Sequence, residues 1–119
     1  MSDAISKQIA LCTKFGADYI AALPESKLGI AENIRAGMLP INGVRHMPEG
    51  DTCGWFIWGG VELSSDEDFF KPLHVMHVER WSPIIDITKF LGLAPGWRFL
   101  TDGKYEDVWF DASSIGPSD

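Results

Sequence analysis

The chain has 119 residues, 45% of them hydrophobic and 23% charged, which is typical of a globular protein large enough for a core of its own. It contains 10 Lys and Arg against 17 Asp and Glu, a formal net charge of −7 at pH 7. Nucleic-acid binding needs clustered cations, so we expect no direct contact with DNA or RNA. The charge is compatible with a basic partner and equally with solubility alone.

The cysteines and the hydropathy of the chain bear on its compartment. Cys12 and Cys53 lie far apart and form no CxxC pair, so reduced thiols are expected rather than a disulfide framework or a zinc site. The N-terminus shows no basic segment followed by an uninterrupted apolar run, and no stretch approaches the ~20 apolar residues of a membrane span. We therefore expect a cytoplasmic protein with no membrane contact. Without repeats or long linkers, residues 1–119 are predicted to form a single domain.

The first 37 residues are predicted to be helical. Apolar residues from Ile5 to Leu23 recur at spacings of three, four and seven, as on one face of a helix. Pro24 ends this helix or opens the next. A second short helix is predicted from Pro24 to Ile34, and Gly37 is placed to close it.

Strands are predicted next, within residues 38–111. The segments LPINGVRHM and CGWFIWGG flank a turn-rich interval at 48–51, a pattern that predicts a hairpin. In the second segment Trp55 and Ile57 would point one way, and Phe56 and Trp58 the other. Because both sets are apolar, the segment is either a central strand covered on both faces or part of an aromatic site.

Two further helices are predicted in the middle of the chain. Ser64 and Glu67 have the spacing of a capping box, which predicts a short helix that Pro72 interrupts. Ser82 followed by Pro83 predicts a second helix, whose apolar stripe would run to Leu91 before Gly92 ends it.

The last strands complete the predicted fold. Residues 97–100 and 108–110 flank a turn with Asp102-Gly103, which predicts a second hairpin. The predicted class is therefore α+β, with a mainly antiparallel sheet built from two hairpins and with N-terminal helices and a central helical segment packed on it. Of the tryptophans, Trp55 and Trp97 are predicted to be in the core, and Trp58 or Trp109 to be partly exposed.

No motif in the sequence predicts catalysis. His74 and His77 are spaced to share a helix face, but the sequence offers no third and fourth metal ligand in a recognised pattern. There is no GxSxG elbow, Walker loop or dinucleotide fingerprint. We expect no enzyme activity, cofactor or metal. A metal-dependent hydrolase using the two histidines is the last of the alternatives.

Acidic residues near aromatic ones form the candidate site. Carboxylates follow the first predicted hairpin and recur in the second, where an aromatic pair interrupts them. Clustered carboxylates edged by rings suit a basic protein partner, with charge for approach and rings for anchoring. A solvated acidic face over buried rings explains the same pattern. The candidate partner-binding residues are Glu62, Asp66, Glu67, Asp68, Glu106, Asp107, Trp109 and Asp111.

Four motifs carry a resemblance to a known family. They are GWFIW (54–58), DFFKPLH (68–74), GWRFL (96–100) and YEDVWFD (105–111). Over roughly residues 54–111 the chain resembles small bacterial proteins with an immunity-protein-33-like domain. The resemblance implies a role in polymorphic-toxin or contact-dependent competition systems, in which an immunity protein binds a cognate toxin domain and blocks its active site. It supplies no catalytic residue.

The leading hypothesis is thus a stoichiometric toxin inhibitor that binds its partner through an acidic surface, which suits a basic protein. The alternative is a small-molecule-binding module without catalysis, in which Trp58 and Trp109 stack on a planar or sugar ligand between the two hairpins. The sequence predicts neither the toxin nor the oligomeric state.

Overall fold

The fold is a six-stranded sheet with a helical layer on one face. The computed structural model describes residues 3–62, 64 and 68–115. The helices are α1 (Asp3–Phe15) and the short α2 (Val78–Trp81). The strands are β1 (Lys27–Ala31), β2 (Ile41–Arg45), β3 (Thr52–Gly59), β4 (Phe70–His74), β5 (Trp97–Thr101) and β6 (Glu106–Phe110). Among the described residues, no helix is long and apolar enough to cross a membrane.

The strands are ordered β4-β1-β3-β2-β5-β6. β1 runs parallel to β3, and the other neighbouring pairs are antiparallel. The α+β class is confirmed. The sheet is not built from two hairpins alone, however, because β1 and β4 add two strands beyond β3, and β2 pairs directly with β5. Those strand pairings join segments that are distant in sequence, so no pattern of neighbouring residues predicts them.

The first helix is shorter than predicted. It ends at Phe15, where Gly16 adopts φ +74°. The amides of Gly16 and Ala17 donate to the carbonyls of Thr13 and Cys12, respectively. These hydrogen bonds satisfy carbonyl groups of the last helical turn, and the chain changes direction there. The prediction of helix from Gly16 to Leu23 is wrong: residues 16–23 are not helical, and Tyr19 forms a β-bridge with Leu93.

The predicted helix at Pro24–Ile34 is also wrong. Its centre is strand β1, followed by a 3₁₀ turn at Glu32–Ile34. Leu28 and Ile30 alternate with smaller or partly exposed residues and point into the core, a period of two. The helical period is also matched by Leu28, Ala31 and Ile34. The strand forms because β1 pairs with β3 on one edge and with β4 on the other.

The central helices differ from prediction as well. The capping-box helix falls partly on residues 65–67, which lie outside the described residues, and from Phe70 onward the chain is strand β4. No helix begins at Ser82: α2 ends at Trp81, and only a 3₁₀ turn at Thr88–Phe90 follows. Ile87, Phe90 and Leu91 of the predicted stripe are buried, but the Ile84 side chain is 93% exposed.

Strand β3 is central in the sheet and its two faces differ. Trp55 and Ile57 are fully buried in the main core, as predicted for Trp55. Trp58 is also buried on the other face, in a small second cluster, while Phe56 on that face is 36% exposed. Trp97 is half-buried and packs against the main core. The strand is thus covered fully on one face and partly on the other.

The main core lies between the sheet and α1. Leu11 and Cys12 of α1 join buried residues of five strands and of the segment around Phe90 in one cluster. Phe90 stacks on Phe99 of β5 with ring centroids 4.3 Å apart. The buried apolar side chains of α1 and α2 belong to this cluster, and in the described part of the chain the cluster on the opposite face is formed by sheet residues and Phe69.

Candidate partner-binding surface

Most of the described candidate carboxylates gather at one end of the sheet. The register places Gly59, Ile41, Thr101 and Glu106 in one line across four strands. Glu62 follows β3 at this end and Asp68 precedes β4 there; both are exposed, as is Asp107. We call Glu62, Asp68, Glu106 and Asp107 the acidic end. Asp66 and Glu67 lie outside the described residues.

Two of the candidate carboxylates are engaged by cations of the chain itself. Glu106 is half-buried and forms an ion pair with Lys89. Asp111 lies at the opposite end of β6, where Arg98 Nη1 approaches its Oδ2 to 3.1 Å. The Ser113 hydroxyl, the Arg98 guanidinium and the Ser113 amide donate to Asp111, and these hydrogen bonds hold the pKa of its carboxyl below the ordinary value. These two residues therefore stabilise the fold and offer a partner less negative charge.

The tryptophans of the alternative hypothesis do not come together. Trp58 on β3 and Trp109 on β6 share a face of the sheet, but β2 and β5 lie between their strands. Three strand spacings separate them by about 14 Å, too far for both rings to stack on one planar ligand. Trp58 is buried, whereas Trp109 is 36% exposed and lies 5.6 Å from the Arg98 guanidinium, as measured to the ring centroid. Of the two tryptophans, Trp109 is the one available to a partner.

The two histidines of the hydrolase alternative lie close together, and the two cysteines are buried. The rings of His74 and His77 lie edge to face, with centroids 6.2 Å apart. In the part of the chain that the structure describes, no three or more His, Cys, Asp or Glu side chains are placed to hold a metal ion. Cys12 and Cys53 are both buried and free. Burial raises the pKa of the Cys12 thiol, which disfavours the nucleophilic thiolate.

A buried arginine, which sequence reasoning did not single out, fixes the loops beside the sheet. Arg45 is 1% exposed, and its guanidinium donates to backbone carbonyls rather than to a carboxylate. The acceptors are Cys53 (2.9 Å), Ile20 (2.7 Å), Ala21 (3.3 Å), Leu91 (3.3 Å) and Leu93 (2.9 Å). Burial lowers the pKa of Arg45 from its ordinary value. Its position within a predicted strand, directly after Val44, is the signal that could have identified it.

The arginine also borders a cleft beside the β2–β3 turn. This cleft of about 380 Å³ lies between the 20–26 segment and the β2–β3 turn, with Arg45 and Cys53 at its base. All of the guanidinium bonds run to the surrounding backbone, so the side chain acts as a clamp for the walls of this cleft.

Comparison with protein families identifies the chain over most of its length. The Imm33-like domain model matches residues 7–111, from within α1 to just beyond β6. This match includes the N-terminal elements that the motif resemblance at 54–111 leaves out. Comparisons with curated proteins and with solved structures give no match. The chain belongs to the Imm33-like domain family, a family named for immunity proteins.

Proposed function

We propose that this chain is a cytoplasmic immunity protein that binds a cognate toxin domain one to one and thereby blocks its activity. The observation that carries the proposal is the family match over residues 7–111. Inhibition by binding requires a stable scaffold and a complementary surface, and it requires no catalytic group. Membership of an immunity-protein family supports this non-catalytic role.

The electrostatics of the chain support a basic partner. A net charge of −7 attracts a positively charged protein and speeds its encounter, most strongly at low salt. We assign the first contact to the acidic end together with Asp66 and Glu67, which lie between two of its members in sequence. Asp107 and Glu62 are exposed, and neither forms an ion pair among the described residues.

Growth rescue and inhibition test the function. Affinity capture from the producing bacterium identifies a candidate toxin, and its toxic domain is then expressed in a sensitive host with and without this protein. We expect rescue of growth, and complete inhibition of the purified toxic domain at a molar ratio near one. A toxin domain that remains fully active with excess protein would refute the proposed inhibition of that partner.

Charge reversal tests the acidic residues separately. Replacing Asp66, Glu67 and Asp68 together by Lys should weaken toxin binding in a calorimetric titration while leaving the circular dichroism spectrum unchanged. A matched control reverses Asp18, Glu25 and Glu79, which are exposed elsewhere and give the same net charge. If both triple variants bind equally well, the 66–68 cluster is not in the interface.

A further inference from the structure

Neither α1 nor α2 packs on one face of the sheet, which presents aromatic and apolar side chains. Among the described residues, the 3₁₀ turn Ala112–Ser114 reaches this face, where the Ser114 carbonyl oxygen lies 2.7 Å from His46 Nδ1. By the register, the face opposite α1 contains Val44, Phe56, Trp58, Phe70, Leu100 and Trp109. We call this set the open face. The buried cluster on this side consists of sheet residues and Phe69 in the described part of the chain, and α1 belongs to the opposite cluster. Phe56 and Trp109 are each 36% exposed.

The rings on the β3 and β4 side of the open face form one connected group. Phe56 contacts His46, which follows β2, and Phe70 on β4, with centroid separations of 5.4 and 5.2 Å. Phe70 in turn lies 6.1 Å from Trp58, and these three pairs are edge to face. Because neighbouring rings fix each other in place, a partner that docks on them immobilises few additional side chains.

A glycine shapes a shallow groove within this group of rings. A Cβ atom at Gly29 would lie 2.8 Å from Cδ1 of Phe56 and 3.3 Å from Cβ of Phe70, so the two aromatic residues close over the bare backbone of β1. A cleft of about 380 Å³ opens beside them, bounded by Pro72 and by the Lys27–Asp51 ion pair. Its volume and apolar walls suit one or two apolar side chains of a partner.

The charges of the open face indicate the chemistry of that partner. Two of the cations beside the rings are paired, Lys27 with Asp51 at 3.4 Å and Arg98 with Asp111 at 3.1 Å, while Lys71, which also lines the cleft, is exposed. Two exposed carboxylates of the acidic end, Glu62 and Asp107, form no ion pair among the described residues. A second copy of this chain would bring another formal charge of −7 to the same face, which opposes self-association. A basic surface complements both the charge and the rings.

The dimensions indicate how much of an interface this face supplies. Five strand spacings and strands of about five residues give a surface of about 24 by 17 Å. Its projected area, about 400 Å², is roughly half of what one partner contributes to a standard interface. The open face is therefore large enough for the apolar centre of an interface, and the acidic end is placed to supply part of its polar border.

We infer that the open face is the docking surface for the toxin domain: Phe56, Phe70 and Trp109 receive apolar side chains, while the acidic end meets lysines and arginines around them. This inference rests on the proposed function. It assigns the energy of toxin binding to contacts with the open face and not to charge alone. The partner is thus a basic protein surface with an exposed apolar centre.

Two single substitutions on separate strands test the inference. Phe56→Thr and Trp109→Thr each remove a partly exposed ring and keep a residue suited to a strand. Ile84→Thr is the matched control, because Ile84 is 93% exposed in a loop whose neighbour Ile85 packs against the main core on the α1 side. The probe is the purified toxin domain from the rescue experiment, titrated into each folded variant by calorimetry.

We expect at least tenfold weaker binding for Phe56→Thr and for Trp109→Thr, and wild-type affinity for Ile84→Thr. If Phe56→Thr does not fold, Trp109→Thr on the edge strand decides the result. Wild-type affinity in both ring variants would overturn the inference and leave the proposed function intact. A wild-type protein that neither binds nor inhibits the toxin domain would refute both. A wild-type dimer that either substitution dissociates would assign the face to self-association and also overturn the inference.

Discussion

At the scale of single residues, Arg45 shows how a buried charge is accommodated without an acid. Five hydrogen bonds link its guanidinium to backbone carbonyls of three segments that are distant in sequence. Trp55 Nε1 donates to one of the same carbonyls, that of Leu91, at 3.0 Å. Burying an ion is costly unless its donors are satisfied, and these carbonyls satisfy them. The residue thus ties the 20–21 and 91–93 segments to the sheet.

Replacing Arg45 should lower the free energy of unfolding. Arg45→Met keeps much of the side-chain volume but leaves several buried carbonyl groups without a hydrogen-bond donor. We therefore expect the free energy of unfolding to fall by more than about 2 kcal/mol. Arg80→Met is the control, because Arg80 is exposed on α2. Urea denaturation measures both variants, and equal midpoints would contradict the role of Arg45 as a clamp.

The carboxylates of Asp102 and Asp111 make the free energy of unfolding depend on pH. Backbone amides of Tyr105 and Lys104 lower the pKa of Asp102, and the Ser113 hydroxyl and Arg98 lower that of Asp111. Because both folded-state pKa values lie below the unfolded ones, each carboxylate contributes stability above its unfolded pKa of about 3.9. This contribution is lost as the pH falls through that value toward the folded pKa.

The double variant Asp102→Asn, Asp111→Asn should therefore lose less stability than the wild type between neutral pH and about pH 3. Urea denaturation at a series of pH values gives the slope of the free energy of unfolding against pH for each protein. If the double variant declines as steeply as the wild type, other groups carry the acid sensitivity.

At the scale of elements, strand β3 bends at a glycine. Gly54 has φ +97°, and its carbonyl accepts from the His46 amide at 2.8 Å. The pairing with β1 shifts register at this point, between Lys27 and Gly29. A Cβ atom at Gly54 would lie 2.0 Å from the His46 carbonyl oxygen. The strand therefore needs glycine here both for its backbone conformation and for the close approach of β2.

A pair of alanine substitutions separates these two needs. Gly50 also has a positive φ, +60°, but a Cβ atom there would meet nothing within 4 Å. We expect Gly50→Ala to cost about 1–2 kcal/mol for its left-handed backbone alone. Gly54→Ala should cost about 1–3 kcal/mol more, because the backbone must also shift. Similar urea midpoints for the two variants would show that the steric contact with His46 is relieved at little cost.

At the scale of the whole molecule, one core cluster joins elements from both ends of the described chain. Leu11 of α1 and Val108 of β6 belong to the same cluster, and β1 is held between β3 and β4. Residues 3–37 therefore contribute side chains to the same core cluster as later elements, and the family match begins at residue 7.

We predict a single cooperative unfolding transition for residues 1–119. Tryptophan fluorescence reports mainly on the sheet, and far-ultraviolet circular dichroism also reports on α1, so the two should give one denaturation curve. Removal of residues 1–16 should abolish the transition, because it exposes the α1-facing side of the core. Separate transitions, or a truncated chain that still unfolds cooperatively, would contradict the single-domain prediction.

The sequence by itself determined those features that depend on neighbouring residues. The uncharged, largely apolar run at 53–60 located β3 and the burial of Trp55, Asp102-Gly103 located the β5–β6 turn, and periodic apolar residues located α1. The four motifs between 54 and 111 pointed to the family, and the residue counts gave the charge.

Only the tertiary structure decided β1, the β2–β5 pairing, the clamp around Arg45 and which carboxylates are already paired. Each of these depends on contacts between segments that are distant in sequence. Short apolar runs such as 27–31 satisfy both the helical and the strand period, so the hydrogen-bonding partners on either side select the strand. Likewise, whether a carboxylate faces a partner or a lysine of its own chain depends on which segment the fold places beside it, as the 3₁₀ turn that contains Lys89 lies beside Glu106.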